Sequence, residues 1–195
     1  MELFEAIKNR RSIRRYKSDA VDDKKIEAIL EAGRWAPSWS NTQCWRFIVV
    51  RDPAIRAKVA ESLMKIKLPD REIDNPATKA LNTVPVLIVV CAETGKSGLK
   101  PGPGGGTGEY VTDKGDWFMF DAALAVQNMV LAAHALGLGT VIIGAFDAKK
   151  VEQALGVPKG YRVVTFFPVG VPDQEAKVPP RKELAEIVTK DEWRK

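Results

Sequence analysis

The sequence holds only two cysteines, Cys44 and Cys91, and one histidine, His134, in 195 residues. Two distant thiols give no disulfide framework and no cysteine-rich metal site. A single imidazole argues against a zinc or iron centre built on histidines. Two nucleotide-binding signatures also fall short. Gly95-Lys96-Ser97 ends like a phosphate-binding loop, but the glycine needed five residues earlier is Val90. The run from Gly102 to Gly108 never fits G-x-G-x-x-G, and no helix start follows it closely. No Ser/His/Asp or Cys/His set stands out. His134 sits in an apolar stretch and reads as a satisfied core histidine, and the cysteines read as packing residues. The chain has no internal repeat. Met1 to Ser12 lacks the apolar core of a secretion signal, so a cytoplasmic location is the expectation.

What the chain does have is an ordinary hydrophobic content of 45%, enough for one core, and a single domain over residues 1–195 is expected. The net charge of +5 suits an acidic cofactor or substrate as well as it suits nucleic acid. Much of it is concentrated in Lys8-Asn9-Arg10-Arg11-Ser12-Ile13-Arg14-Arg15-Tyr16-Lys17, with six cations and no acid. Before this run, Leu3, Phe4 and Ile7 share one face of a short helix. Glu2 and Glu5 open that helix and cations close it, as the helix macrodipole favours. Charge compensation explains one or two of the cations. Arg10, Arg11 and Arg14 around the Ser12 hydroxyl can form a fork-shaped receptor for phosphate. A solvated basic face and a nucleic-acid patch are the other readings of the same residues.

Further along, Asp22 starts a helix with Ile26, Ile29 and Leu30 as its buried stripe, ending before Pro37. A polar turn, Ser38 to Gln43, precedes a strand at Trp45–Val50. Asp52-Pro53 opens a helix with Ile55, Val59, Leu63 and Ile66 on its apolar side. Residues 67–83 are polar and give no clear pattern. Pro85 to Cys91 reads as a strand buried on both faces. Eight of the fifteen glycines fall between Gly95 and Gly115, which marks 93–115 as a long glycine-rich loop or lid. Trp117 to Leu136 is a helix apolar nearly all round. Asp121, the Gln127-Asn128 pair and its alanines argue for a core helix that also meets a second subunit, rather than a membrane span. Strands are expected at Thr140–Gly144 and Tyr161–Gly170, with a short helix capped by Asp147 between them. Residues 171–195 form a proline-rich C-terminal extension whose last helix starts at Arg181. The alternation of helices and apolar strands gives an α+β or α/β sandwich.

Four separated segments together resemble the nitroreductase-like, FMN-dependent flavoprotein family. They are Arg10-Arg11-Ser12-Ile13-Arg14-Arg15-Tyr16; Ala36-Pro37-Ser38 with Asn41-Thr42-Gln43-Cys44-Trp45; Gly137 to Phe146; and Val169-Gly170-Val171-Pro172 with the late Arg181. The resemblance spans nearly the whole chain. It implies an α+β fold with a mixed central sheet, a long buried central helix, and a homodimer carrying two FMN sites at its interface. It implies that Arg10, Ser12 and Arg181 hold the FMN phosphate with Arg11 close by, and that Arg14 faces the pyrimidine edge. Pro37, Ser38, Asn41 and Gln43 belong to a turn at the ring or ribityl chain, partly from the partner subunit. The strand end Ile143-Gly144-Ala145 offers a backbone N–H toward flavin N5. The implied activity is FMN-dependent oxidoreduction: NADH or NADPH reduces the flavin, then an electron-poor acceptor such as a nitroaromatic or quinone takes the electrons in ping-pong order. Flavin fragmentation, reductive dehalogenation and dehydrogenation are alternatives on the same cofactor. A flavin carrier and a nucleic-acid-binding module are non-enzymatic ones. No metal, membrane or nucleic acid is expected. Cys44 stands where the family often has proline, and Trp39 where small residues are common.

Overall fold

A computed structural model describes residues 1–100, 102 and 108–193. Its centre is strand β4 (Val86–Glu93), which lies between β1 (Trp45–Val50) and β6 (Tyr161–Gly170) in a four-stranded sheet of order β1-β4-β6-β5, where β5 is Gly139–Thr140. All the strand pairs are antiparallel. The parallel pairing among the described residues is one isolated bridge, Ser12 to Thr140. A separate short hairpin, β2 (Ile66–Lys67) with β3 (Glu72–Ile73), occupies part of the stretch whose sequence gave no pattern.

The period of two along β4 builds both halves of the core. Val86, Ile88, Val90 and Ala92 face one side, with Phe167 and Val169 of β6. Leu87, Val89 and Cys91 face the other, with Phe166 and Val163. On the first side pack α2 (Asp23–Arg34) and α5 (Phe118–Ala135), through Ile26, Ile29, Val126, Met129 and Val130. On the second pack α3 (Pro53–Ala60), α4 (Ala77–Thr83) and α6 (Ala148–Leu155), through Val59, Leu81 and Val151. Each fully buried Val, Leu or Ile contributes about 1.5–3 kcal/mol relative to exposure.

The helix starts follow their sequence signals. Asp22, Asp52 and Asp147 each accept a backbone N–H of the first turn. Gly156, at φ 64°, closes α6 in the left-handed region. Three expected elements are shorter than the sequence suggests. Helix α3 stops at Ala60, because Ser62 bonds back to Val59 O through its hydroxyl and its N–H, and Leu63 bridges Phe146. The strand expected at 140–144 ends at Thr140, and the chain meets the sheet again at Ile143, whose N–H donates to Phe166 O and whose carbonyl accepts the Thr165 hydroxyl. The last helix, α7, is the single turn Leu184–Ile187. Helix α5 is long and apolar enough to span a membrane by composition, but it is a core helix here: one face is buried on α2 and the sheet. Met119 and Phe120, at its start, are half exposed.

Part of the glycine-rich loop, residues 101 and 103–107, lies outside the described residues. Its two ends pair: Leu99 bridges Tyr110, and Val111 N–H donates to Gly98 O at 2.8 Å.

Candidate active site

Helix α1 (Leu3–Asn9) ends at Arg10, and the chain then runs extended through the cation-rich segment. Two neighbours hold it straight. Ile13 N–H donates to Thr140 O at 2.9 Å, on one side. Lys17 N–H donates to Val171 O, Asp173 N–H to Arg15 O and Arg14 N–H to the Gln174 side chain, on the other. The docked segment divides its side chains between core and solvent. Ile13 and Tyr16 are buried, and the Tyr16 hydroxyl donates to Ile13 O. Ser12 and Arg14 point away from that core.

Gly139 makes this docking possible. A Cβ there would lie 2.8 Å from Ile13 Cβ and Cγ2, inside van der Waals contact. The glycine lets β5 meet the segment backbone to backbone.

The outward residues open on a cavity of about 480 Å³, lined by Arg10, Arg11, Ser12, Arg14, Arg15, Lys177 and Arg181, with Glu175 as its one acid. Arg181, some 170 positions away in sequence, therefore converges with Arg10. Burial, then the charges of Arg11 and Arg181, pull the Arg10 guanidinium below its usual range. Burial and neighbouring like charges both disfavour the charged form, and the cations here outnumber the one acid. Arg11 also closes α1, donating from Nη1 to Lys8 O and Arg10 O.

Arg14 also lines a second cavity of about 330 Å³, with Asn75, Pro76, Val141, Ile143, Gly144 and Ala145. The phosphate candidates and the strand-end candidates are thus continuous through one arginine. Gly144 is exposed, with nothing within 4 Å of where its Cβ would be, so its backbone is open to approach.

The Pro37–Gln43 turn lies elsewhere. Pro37, Asn41 and Gln43 are exposed, and Ser40, Asn41 and Gln43 all adopt positive φ, at 44°, 54° and 47°. Such backbone costs about 1–3 kcal/mol per residue, less for asparagine, and collects at functional sites. Ser38 Oγ accepts the Gln43 N–H at 2.9 Å. Asp121, in the first turns of α5, accepts the Trp39 N–H at 3.1 Å. The cation-rich segment sits at the other end of α5, where His134 lines a cavity with Arg10 and Arg11. Thirteen residues of helix separate Asp121 from His134, about 20 Å at 1.5 Å per residue. One chain therefore does not join the turn to the cavities.

His134 differs from its sequence reading. It is half-buried, its Nε2 has no partner among the described residues, and burial and the two arginines push its pKa below 6.5. The hydrophobic pattern of α5 masked this, because the cations arrive from a distant segment. Asn75, Lys177 and Gln174 went unread for the same reason.

The fold and these cavities define a class, and comparison with known proteins names it. A profile of the nitroreductase family matches residues 7–171, and the chain belongs to that family. A Methanothermobacter thermautotrophicus protein bearing the name NADH dehydrogenase/NAD(P)H nitroreductase is 31% identical over 88% of this chain and 78% of its own length. A Desulfovibrio desulfuricans nitroreductase solved in complex with FMN is 31% identical, with a TM-score of 0.76 over 100% of this chain and 99% of that one. The 5,6-dimethylbenzimidazole synthase of Rhodospirillum rubrum is 27% identical over 90% of this chain and 84% of its own.

Proposed function

We propose that this chain is an FMN-dependent NAD(P)H oxidoreductase that works as a homodimer. The observation that carries the reading is the cavity in which Arg10, Ser12 and Arg181 converge and which Arg14 connects to the Gly144 shelf. Gathered cations with one acid among them fit a phosphate dianion. Ser12 adds a hydroxyl donor, and each charge-assisted bond is worth about 1.5–3 kcal/mol. Arg14 and Asn75 face the pyrimidine edge, where Arg14 favours the negative charge of a reduced ring. The exposed backbone of Gly144 and Ala145 offers an N–H to the ring's central edge.

The turn at Ser38, Asn41 and Gln43 completes the site from the partner subunit. Two copies that pack α5 across a two-fold axis bring the start of one helix toward the end of the other, covering the 20 Å gap. The exposed apolar residues suit such an interface: Leu3, Phe4 and Ile7 of α1, Met119 and Phe120 of α5, and Leu184, Ile187 and Val188 near the C-terminus.

Bound FMN supplies the redox chemistry, accepting electrons from NADH or NADPH and passing them to an electron-poor acceptor such as a nitroaromatic or quinone. The protein positions the ring and leaves one face open to donor and acceptor in turn, which gives ping-pong kinetics. The kinship with 5,6-dimethylbenzimidazole synthase supports a second reading, in which the same cradle serves a reaction that consumes the flavin.

Purified protein reconstituted with FMN should be yellow and should bleach anaerobically with NADH or NADPH, then recover its colour with menadione or a nitroaromatic. Protein that takes up no FMN overturns the reading. Flavin that is lost rather than reoxidised selects the second one.

A further inference from the structure

Asp121 is 1% exposed, and hydrogen-bond donors from two separate segments meet on its carboxylate. From the turn come the Trp39 N–H to Oδ1 at 3.1 Å, the Thr42 hydroxyl to Oδ2 at 3.4 Å and the Cys44 thiol to Oδ2 at 3.7 Å. From the root of the glycine-rich loop comes the hydroxyl of Ser97, fully buried, to Oδ2 at 2.5 Å. A carboxylate is acceptor-only, so it can satisfy converging donors that an amide or hydroxyl could not.

The same root closes further on itself. Trp117 N–H donates to Ser97 O at 3.1 Å, and Asp121 N–H donates to Trp117 O at 3.0 Å. Trp117 packs against Trp39, the residue between Ser38 and the strained Ser40, with ring centroids 5.2 Å apart and planes tilted by 47°. Gly98, at φ 84°, allows this packing, since a Cβ there would lie 2.8 Å from Trp117 Cδ1. Turn and loop root thus share one buried acceptor and one aromatic contact.

We propose that Asp121 is a positioning residue that locks the Ser38–Gln43 turn to the root of the glycine-rich loop. One carboxylate then sets both the hold on FMN and the fit of the acceptor. The inference rests on the flavin reading of the turn. The three bonds from Trp39, Thr42 and Cys44 offset the strain of three left-handed residues, and without them the turn relaxes toward ordinary backbone. Loosening Ser97 frees the loop root whose Trp117 ring lies against Trp39, the side from which the acceptor is fitted, and leaves the Trp39 bond in place. Burial, and then the Asp121 charge, push the Cys44 thiol up to about 11.

The test uses full-length holoenzyme, Asp121→Asn and Ser97→Ala, with FMN affinity from fluorescence quenching and acceptor kinetics with menadione at saturating FMN. Asp121→Asn should weaken FMN at least tenfold and raise the KM for menadione. Ser97→Ala should raise that KM at least fivefold with FMN affinity within twofold of the parent. A purely structural carboxylate predicts a lower melting temperature with both parameters within twofold at saturating FMN, and that result overturns the inference. Should Asp121→Asn fail to fold, Ser97→Ala decides: an unchanged menadione KM overturns the coupling. If the parent chain binds no FMN, the flavin reading falls and the inference with it; a yellow parent with unaffected variants sinks the inference alone.

Discussion

Arg10 and Arg181 are far apart in sequence and share one cavity in space, and the proposed phosphate site depends on that meeting. Replacing either with alanine removes a charge-assisted bond worth about 1.5–3 kcal/mol, so FMN affinity should fall about 10- to 150-fold, at roughly 1.4 kcal/mol per tenfold. Fluorescence titration measures it, and the weakened variants should bind more tightly at low than at high salt. His134 makes a different prediction. Its folded pKa lies below 6.5, with Arg10 and Arg11 as the facing charges. Above pH 6.5 the imidazole is neutral in folded and unfolded chains alike. As pH drops below 6.5 the unfolded chain takes the proton first, so stability falls. Urea midpoints should drop more between pH 7.5 and 5.5 in the parent than in His134→Gln. The Arg-Arg-Ser run was readable as a phosphate receptor because its residues are adjacent. Asn75, Lys177 and the state of His134 were not, because each takes its meaning from a neighbour that only the folded chain supplies.

At the scale of elements, the strands Trp45–Val50 and Tyr161–Gly170 were legible to the residue. Turn residues and prolines punctuate them at Asp52-Pro53, Pro158 and Pro172, and apolar residues dominate between. The hairpin at 66–73 was not. It is short, its four residues are exposed, and its pairing leans on Lys67 with Glu72, a surface contact without a hydrophobic pattern. Helix α3 was overextended for an opposite reason: Leu63 keeps the helical spacing but pairs with Phe146 instead. The close approach of β5 to the cation-rich segment yields a test of its own. Gly139→Ala drives a methyl into Ile13, a stiff β-branched side chain. The expected cost is about 1–3 kcal/mol of stability, with weaker FMN binding because Ser12 moves with Ile13. Chemical denaturation and flavin titration of one sample read both effects.

For the whole molecule, the proposed flavin site needs a second chain, because the turn lies apart from the cavities. The native mass should be twice 21.5 kDa by sedimentation. Leu3→Glu with Phe4→Glu places two charges on the apolar face of α1 and should shift the protein toward monomer, with loss of bound flavin at the same step. Monomers that keep FMN at parental affinity would remove the partner from the site. The crowding of guanidinium groups around Arg10 has a consequence for the life of the protein in a cell. The folded chain pays for that repulsion until a phosphate arrives, and ligand at a hundred times its Kd adds about 2.7 kcal/mol to folding. Copies without FMN should therefore be the ones proteases reach first, and limited proteolysis with and without FMN measures the difference.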